Sequence, residues 1–362
     1  MSKLHELHQH GQSMWLDFIS RDLINSGQLD NLVAEGLRGI TSNPNIFDKA
    51  ISSGSAYDEQ IARVAEQATS PVDVYEALAI SDVQAAADHL RTVYDQTDGL
   101  DGYVSLEVNP HLAYETNQTI AEVQRLNERV DRPNVLFKVP ATRHGVVAVR
   151  RLVSLGININ ITLMFSLAHY NTVSQAYIDG LDAYHKAGGD VSQVASVASF
   201  FISRVDAKLD PILEEAGADH LKGKIGIANA KQVYKRFKEI FSGDRWHQLS
   251  NAGARVQRPL WASTSTKVPS YPDTLYVDNL IGPQTVNTVP MDTLEAFRDH
   301  GTVARTIDQN VEEADQNLVD LVKYGINLLE IGEQLQSEGV DKFIQPFDSL
   351  IETISEQAEF AG

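Results

Sequence analysis

The chain has 362 residues, 43% hydrophobic and 22% charged, which are the proportions of a soluble globular protein and fit one large α/β barrel or two smaller domains. It contains no cysteine, so disulfides, thiol catalysis and cysteine-ligated metals are excluded. A formal net charge of −19, from 30 Lys and Arg against 49 Asp and Glu, argues against nucleic acid and anionic membranes as partners. The segment Met1–His8 lacks the apolar core of a signal peptide, and no apolar stretch approaches transmembrane length. The expected location is therefore cytoplasmic.

Strand-like and helix-like runs alternate along the chain. The spacing predicts strands at Met14–Phe18, Gly39–Ser42, Tyr103–Val108, Val135–Val139, Ile157–Phe165, Val194–Phe201, Pro259–Ser263 and Leu275–Ile281. Between them fall helical patterns such as Val74–Tyr94, Asn117–Arg129, Gly145–Leu155, Leu167–Ala187 and Asn229–Phe241. Alternation of this kind implies a parallel sheet, and eight units imply a closed (β/α)8 TIM barrel with its helices outside. We expect a single domain over 1–362, with extra helices. The surplus length lies before the third strand, before the seventh, and in a helical tail after about Asp292.

The polar residues inside these strands carry the functional signal. Lys138 sits in Val135-Leu136-Phe137-Lys138-Val139-Pro140, an apolar run ended by proline. Such a lysine either snorkels to water or is put to use. Strand parity supports use, because successive side chains face opposite ways. Ser105 and Glu107 share one face of the third strand. Lys138 opposes Phe137 and Val139, and Asn158, Asn160 and Thr162 oppose the isoleucines of the fifth strand. Thr41 pairs with Asn43 in the second, and Asp17 lies between Leu16 and Phe18 in the first. If the apolar sets pack on the helices, these polar sets converge inside the barrel towards the carboxyl ends of the strands, where barrel active sites lie. A buried amine among amide and hydroxyl groups points to Schiff-base chemistry on a carbonyl substrate.

Six ordered segments resemble the transaldolase family in its longer bacterial branch, over nearly the whole chain. They are Gly39-Ile40-Thr41-Ser42-Asn43-Pro44-Asn45, Tyr103–Pro110, Val135–Thr142, Gly156–Ser166, Ser199–Asp206 and Ile281–Thr288. The resemblance implies a class I aldolase-type barrel that needs neither metal nor organic cofactor. It further implies movement of a dihydroxyacetone unit between sugar phosphates in the non-oxidative pentose phosphate pathway. Donors would be sedoheptulose 7-phosphate and fructose 6-phosphate, and acceptors glyceraldehyde 3-phosphate and erythrose 4-phosphate. By the same resemblance, Lys138 is the Schiff-base lysine and Asp17 takes the C4 hydroxyl proton. Glu107 and Thr162 hold the water that carries protons during carbinolamine dehydration. Asn43 and Asn160 hold the dihydroxyacetone hydroxyls, with Ser199 nearby, and Arg204 binds phosphate. Shorter relatives place a second phosphate arginine near Trp261–Lys267; none stands there in this chain, and Ser263 and Lys267 are its substitutes.

A lyase on the same scaffold, resembling fructose 6-phosphate aldolase, is the competing reading. That branch tends to carry glutamine at the position of Glu107 and tyrosine at Phe201, which by parity with Ser199 faces the site. A sugar-phosphate-binding barrel without turnover is a third reading, and loss of Lys138, Asp17 or Glu107 would have favoured it. The oligomeric expectation is a monomer or homodimer. Three further signals are discounted. His5, His8 and His10 sit on a polar segment without a full ligand set. Lys231–Lys238 reads as an amphipathic helix with a solvated basic face. Asn160-Ile161-Thr162 is formally a glycosylation sequon, but it lies in a predicted buried strand.

Overall fold

The computed structural model describes residues 2–358; Met1 and residues 359–362, at the two ends of the expected domain, lie outside the described residues. Eight parallel strands close into a barrel in the order in which they occur in the chain. They are β1 (Gln12–Leu16), β2 (Gly39–Thr41), β3 (Tyr103–Glu107), β4 (Val135–Pro140), β5 (Ile159–Met164), β6 (Ser196–Phe201), β7 (Arg258–Ala262) and β8 (Thr285–Val289). The helices include α1 (Gln28–Glu35), α2 (Pro44–Ser52), α3 (Pro71–His89), α4 (Thr116–Val130), α5 (Arg143–Val153), α6 (Leu167–Lys186), α7 (Ser203–Glu215), α8 (Ile225–Ile240), α9 (Met291–His300), α10 (Val311–Lys323) and α11 (Leu328–Gln357). Among the described residues, no helix is long and apolar enough to cross a membrane.

The eighth strand is not where periodicity put it. Leu275–Asn279 forms a short helix, in which Thr274 bonds Asp278 one turn on. Tyr276, Val277 and Leu280 are buried, a spacing that serves a helix as well as a strand. The true strand follows Pro283 and reads Thr-Val-Asn-Thr-Val. Its polar content masked it, yet every polar side chain has a buried partner. Gln12 donates to Thr285 at 2.9 Å, Thr264 to Asn287 at 2.8 Å, and Thr41 and Thr288 share a 2.6 Å hydrogen bond. β1 also ends earlier than expected, so Asp17 stands one residue beyond it.

Strand parity sorts the core into two layers. Residues such as Val104, Phe137, Val139, Ile159, Ile161 and Phe200 join the larger apolar cluster between strands and helices. Trp15, Tyr103, Leu136, Val197, Leu260 and Val286 point the other way and fill the barrel. They form an apolar floor beneath the polar residues. Gly39 is required by this floor, because a Cβ there would lie 2.6 Å from the Trp15 ring. At the amino-terminal end, Arg258 pairs with Asp101 at 2.8 Å and Ser13 donates to Asp101 at 2.7 Å, so that end is sealed by a satisfied buried ion pair. Asn158 belongs to this end too, where it bonds Pro133 and the Ala195 amide.

At the carboxyl ends, short polar residues turn strands into helices. Asn43, Thr142 and Ser166 cap α2, α5 and α6 by accepting from the backbone N–H groups of Ile46, Gly145 and His169. The tail does more than extend the barrel. α11 crosses the carboxyl end and packs against α2, α3, α7 and β5.

Candidate active site

A cavity of about 580 Å³ opens at the carboxyl ends of the strands. Nine of the residues expected in the site line it: Asp17, Asn43, Lys138, Thr162, Ser199, Phe201, Arg204, Ser263 and Lys267. Their convergence follows from register. Glu107 pairs with Lys138 across β3 and β4, and Lys138 with Asn160 across β4 and β5. Side chains at one height on adjacent strands meet at the barrel mouth.

Lys138 is 4% exposed. Its ammonium donates to the Ser42 carbonyl at 3.1 Å and lies 3.3 Å from a Glu107 carboxylate oxygen. Glu107 is buried without a hydrogen-bond donor to either oxygen, and the Thr162 hydroxyl is likewise unpartnered. Burial pushes the Glu107 carboxyl up to about 7, against the opposing pull of Lys138. A carboxyl with that affinity can both release and accept a proton near neutrality.

The sign of the linkage follows. Glu107 binds its proton more tightly folded than unfolded, so its contribution to stability is fully present below 4.5 and is lost as pH rises to about 7. Wild-type unfolding free energy should therefore decline across that window more steeply than that of Glu107→Gln, as measured by urea titration at several pH values. Equal slopes would contradict the assigned proton affinity.

Asp17 is held by Thr41, whose hydroxyl donates to it at 2.6 Å. Among the described residues, no hydrogen bond reaches its second oxygen. Asn43 uses its carbonyl oxygen to cap α2, which leaves the amide N–H₂ free. Asn160 departs from expectation. It donates to Ser105 at 3.0 Å and accepts from Ser199 at 2.7 Å, so it stands behind the cavity wall and orients Ser199.

A cationic corner occupies the β6–β7 side. Arg204 lies in the first turn of α7, where backbone N–H groups and the helix dipole favour an anion. One of its guanidinium nitrogens is buried without a partner, and the group sits 5.0 Å over the Phe201 ring. Burial lowers the proton affinity of Arg204, which Asp17 and Glu107 partly restore. Burial, and then the nearby Arg204, also lower that of Lys267. Ser263 adopts φ 54, a left-handed conformation uncommon outside glycine. Its hydroxyl lies 2.9 Å from that of Ser203 at the start of α7. Arg204, Lys267 and these hydroxyls form a site suited to a phosphate dianion.

Sequence reasoning missed part of the wall. Thr41 was already read as inward-facing beside Asn43, but Thr288 lies in the strand that periodicity misplaced. Lys49 and Asn45 come from α2, while Lys342, Phe343 and Pro346 come from α11. No local pattern announced that a helix some 200 residues after Lys138 folds back across the barrel.

The transaldolase/fructose-6-phosphate aldolase family model matches residues 14–354. A transaldolase of Parafrankia sp. is 47% identical, covering 99% of this chain and 98% of the relative. A transaldolase of Trichodesmium erythraeum is 44% identical, covering 98% and 97%. One of Thermobifida fusca is also 44% identical, covering 98% of each. Matches of this length and identity, over a barrel whose mouth gathers the motif residues, show that the chain belongs to the transaldolase/fructose-6-phosphate aldolase family.

Proposed function

We propose that the protein is a transaldolase that moves a dihydroxyacetone unit between sugar phosphates through an imine on Lys138. The observation that carries this reading is a buried amine 3.3 Å from a buried carboxylate, beside an anion-binding corner in the same cavity. In this reading the Lys138 amine adds to the ketose C2 carbonyl. Glu107, working with Thr162, protonates the departing hydroxyl, and water leaves to give the iminium. Asp17 removes the C4 hydroxyl proton, the C3–C4 bond breaks, and its electron pair passes into the iminium to give an enamine. The aldehyde departs. An incoming aldose phosphate is attacked by the enamine carbon, and the reverse sequence releases the new ketose. Arg204, Ser263 and Lys267 hold the phosphate, while Asn43 and Ser199 hold the dihydroxyacetone hydroxyls. The iminium supplies the electrophile, so no metal is invoked.

Nearly full-length similarity, at 44% and 47% identity, to relatives named as transaldolases supports a transferase over a lyase. So does Phe201, whose ring carries no hydroxyl to position a proton-donating water. With fructose 6-phosphate alone, little dihydroxyacetone should appear, and turnover should become rapid once erythrose 4-phosphate is added. Phe201→Tyr should raise the release of free dihydroxyacetone relative to transfer. Cleavage as fast without acceptor as with it would favour the lyase.

A further inference from the structure

The role of α11 goes beyond closing the barrel. Gly332, Gln336, Gly339, Phe343 and Pro346 recur at alternating four- and three-residue steps, so they form one stripe along the helix. That stripe faces the barrel mouth. Gln336 donates from its amide nitrogen to both the Ala141 and Leu163 carbonyls, each at 3.0 Å, and so satisfies the ends of β4 and β5. A Cβ on Gly332 would lie 3.1 Å from Ser166, and one on Gly339 2.8 Å from the Leu163 side chain. Gly339 therefore permits close approach of the helix to β5, and Gly332 to the turn that follows it.

β5 is deformed to meet it. The pairing of β5 with β6 shifts register between Ile161 and Met164, and Leu163 takes φ 61. A left-handed leucine is strained, and such strain persists only where the surroundings fix it. Here the bulge puts the Leu163 carbonyl on Gln336 and its side chain under Gly339. Two turns beyond Gln336, the Phe343 ring is 5% exposed and its centroid lies 5.5 Å from the Lys138 ammonium nitrogen.

We infer that Phe343 is the roof over the Lys138 intermediate, keeping water from the enamine so that it is transferred instead of released, and that Gln336 and Gly339 are the residues that position this roof. The inference rests on the imine reading above. Release requires water at the reacting carbon. The enamine carbon takes a proton from water and leaves hydroxide. Hydroxide adds to C2 of the resulting iminium, and the carbinolamine then breaks its C–N bond, returning the amine to Lys138 and freeing dihydroxyacetone. An aromatic face excludes that water and also favours the iminium cation by a cation–π contact. Phe201 bounds the cavity from within the barrel; Phe343 bounds it from an element outside the eight βα units.

Two readouts test this. One is borohydride trapping of fructose 6-phosphate on Lys138. The other is the ratio of dihydroxyacetone released without acceptor to transfer onto erythrose 4-phosphate. Phe343→Ala should keep the trapped adduct and raise the release ratio by about tenfold or more, a barrier change of about 1.4 kcal/mol. Phe343→Leu, which retains more of the apolar volume, should raise it less and guards against a variant that fails to fold. Gly339→Ala removes no group from the cavity, yet should shift the ratio the same way by lifting the helix off Leu163. An unchanged ratio in folded Phe343→Leu or Phe343→Ala, with trapping intact, overturns the roof. A shift in the Phe343 variants without one in Gly339→Ala overturns the positioning role alone. Absence of trapping on Lys138 in the wild type overturns the imine reading, and this inference with it.

Discussion

Lys138→Met should lose transaldolase activity by roughly 10⁴-fold or more, the scale seen when a covalent nucleophile is removed. Methionine keeps much of the stem volume and apolar contact, so the barrel interior stays filled. What goes is the cavity amine that lies 3.3 Å from Glu107 and donates to the Ser42 carbonyl. Removing one member of a buried ion pair is usually costly, because the other is left as an unpaired charge. Here the cost is limited. Burial already pushes Glu107 up to about 7, so without Lys138 it can take a proton and remain neutral. The variant should therefore fold, bind sugar phosphate through the untouched Arg204 corner, and fail at imine formation. Steady-state rates with fructose 6-phosphate and erythrose 4-phosphate, together with a binding titration, would check this. Retention of a substantial rate would remove Lys138 from the reaction.

Arg204→Ala should weaken use of phosphorylated substrates by about 2–4 kcal/mol, or roughly 30- to 1,000-fold in kcat/KM, the range for a charge-assisted contact whose partner is left unpaired. The unpartnered buried guanidinium nitrogen is the reason to expect the upper half of this range. A group already satisfied by the protein would have less to offer a ligand. Lys267 bonds Ser265 at 2.8 Å and is exposed, so it should share the load without replacing Arg204. The loss should fall on phosphorylated acceptors far more than on unphosphorylated ones. An unchanged preference between the two would contradict the assignment of the phosphate corner.

How much of this was legible in the sequence depends on the distance over which each signal acts. Parity within one strand is local, and it correctly turned Glu107, Lys138, Thr162, Ser199 and Phe201 inward. It could not tell height. Asn158 and Asn160 share parity with Thr162, yet one lies at the far end of the barrel and the other behind Ser199. Only the stagger between strands fixes which residues stand level. β8 was missed because its threonines and the carbonyl oxygen of its asparagine find partners in β1, β2 and the segment after β7, contacts invisible until the barrel closes. The helical tail was read as surplus for a related reason. Its stripe of Gly332, Gln336, Gly339 and Phe343 gains meaning only from the bulge at Leu163, more than 160 residues earlier.

The central claim is that one lysine of this chain bonds covalently to the ketose. Borohydride reduction in the presence of fructose 6-phosphate, followed by proteolysis and peptide mass spectrometry, reads that bond directly. The account predicts a single reduced dihydroxyacetone unit on the peptide containing Lys138, present with a strong chelator in the buffer and absent from Lys138→Met. Label on a different lysine, or none on Lys138 under conditions of rapid turnover, would contradict it.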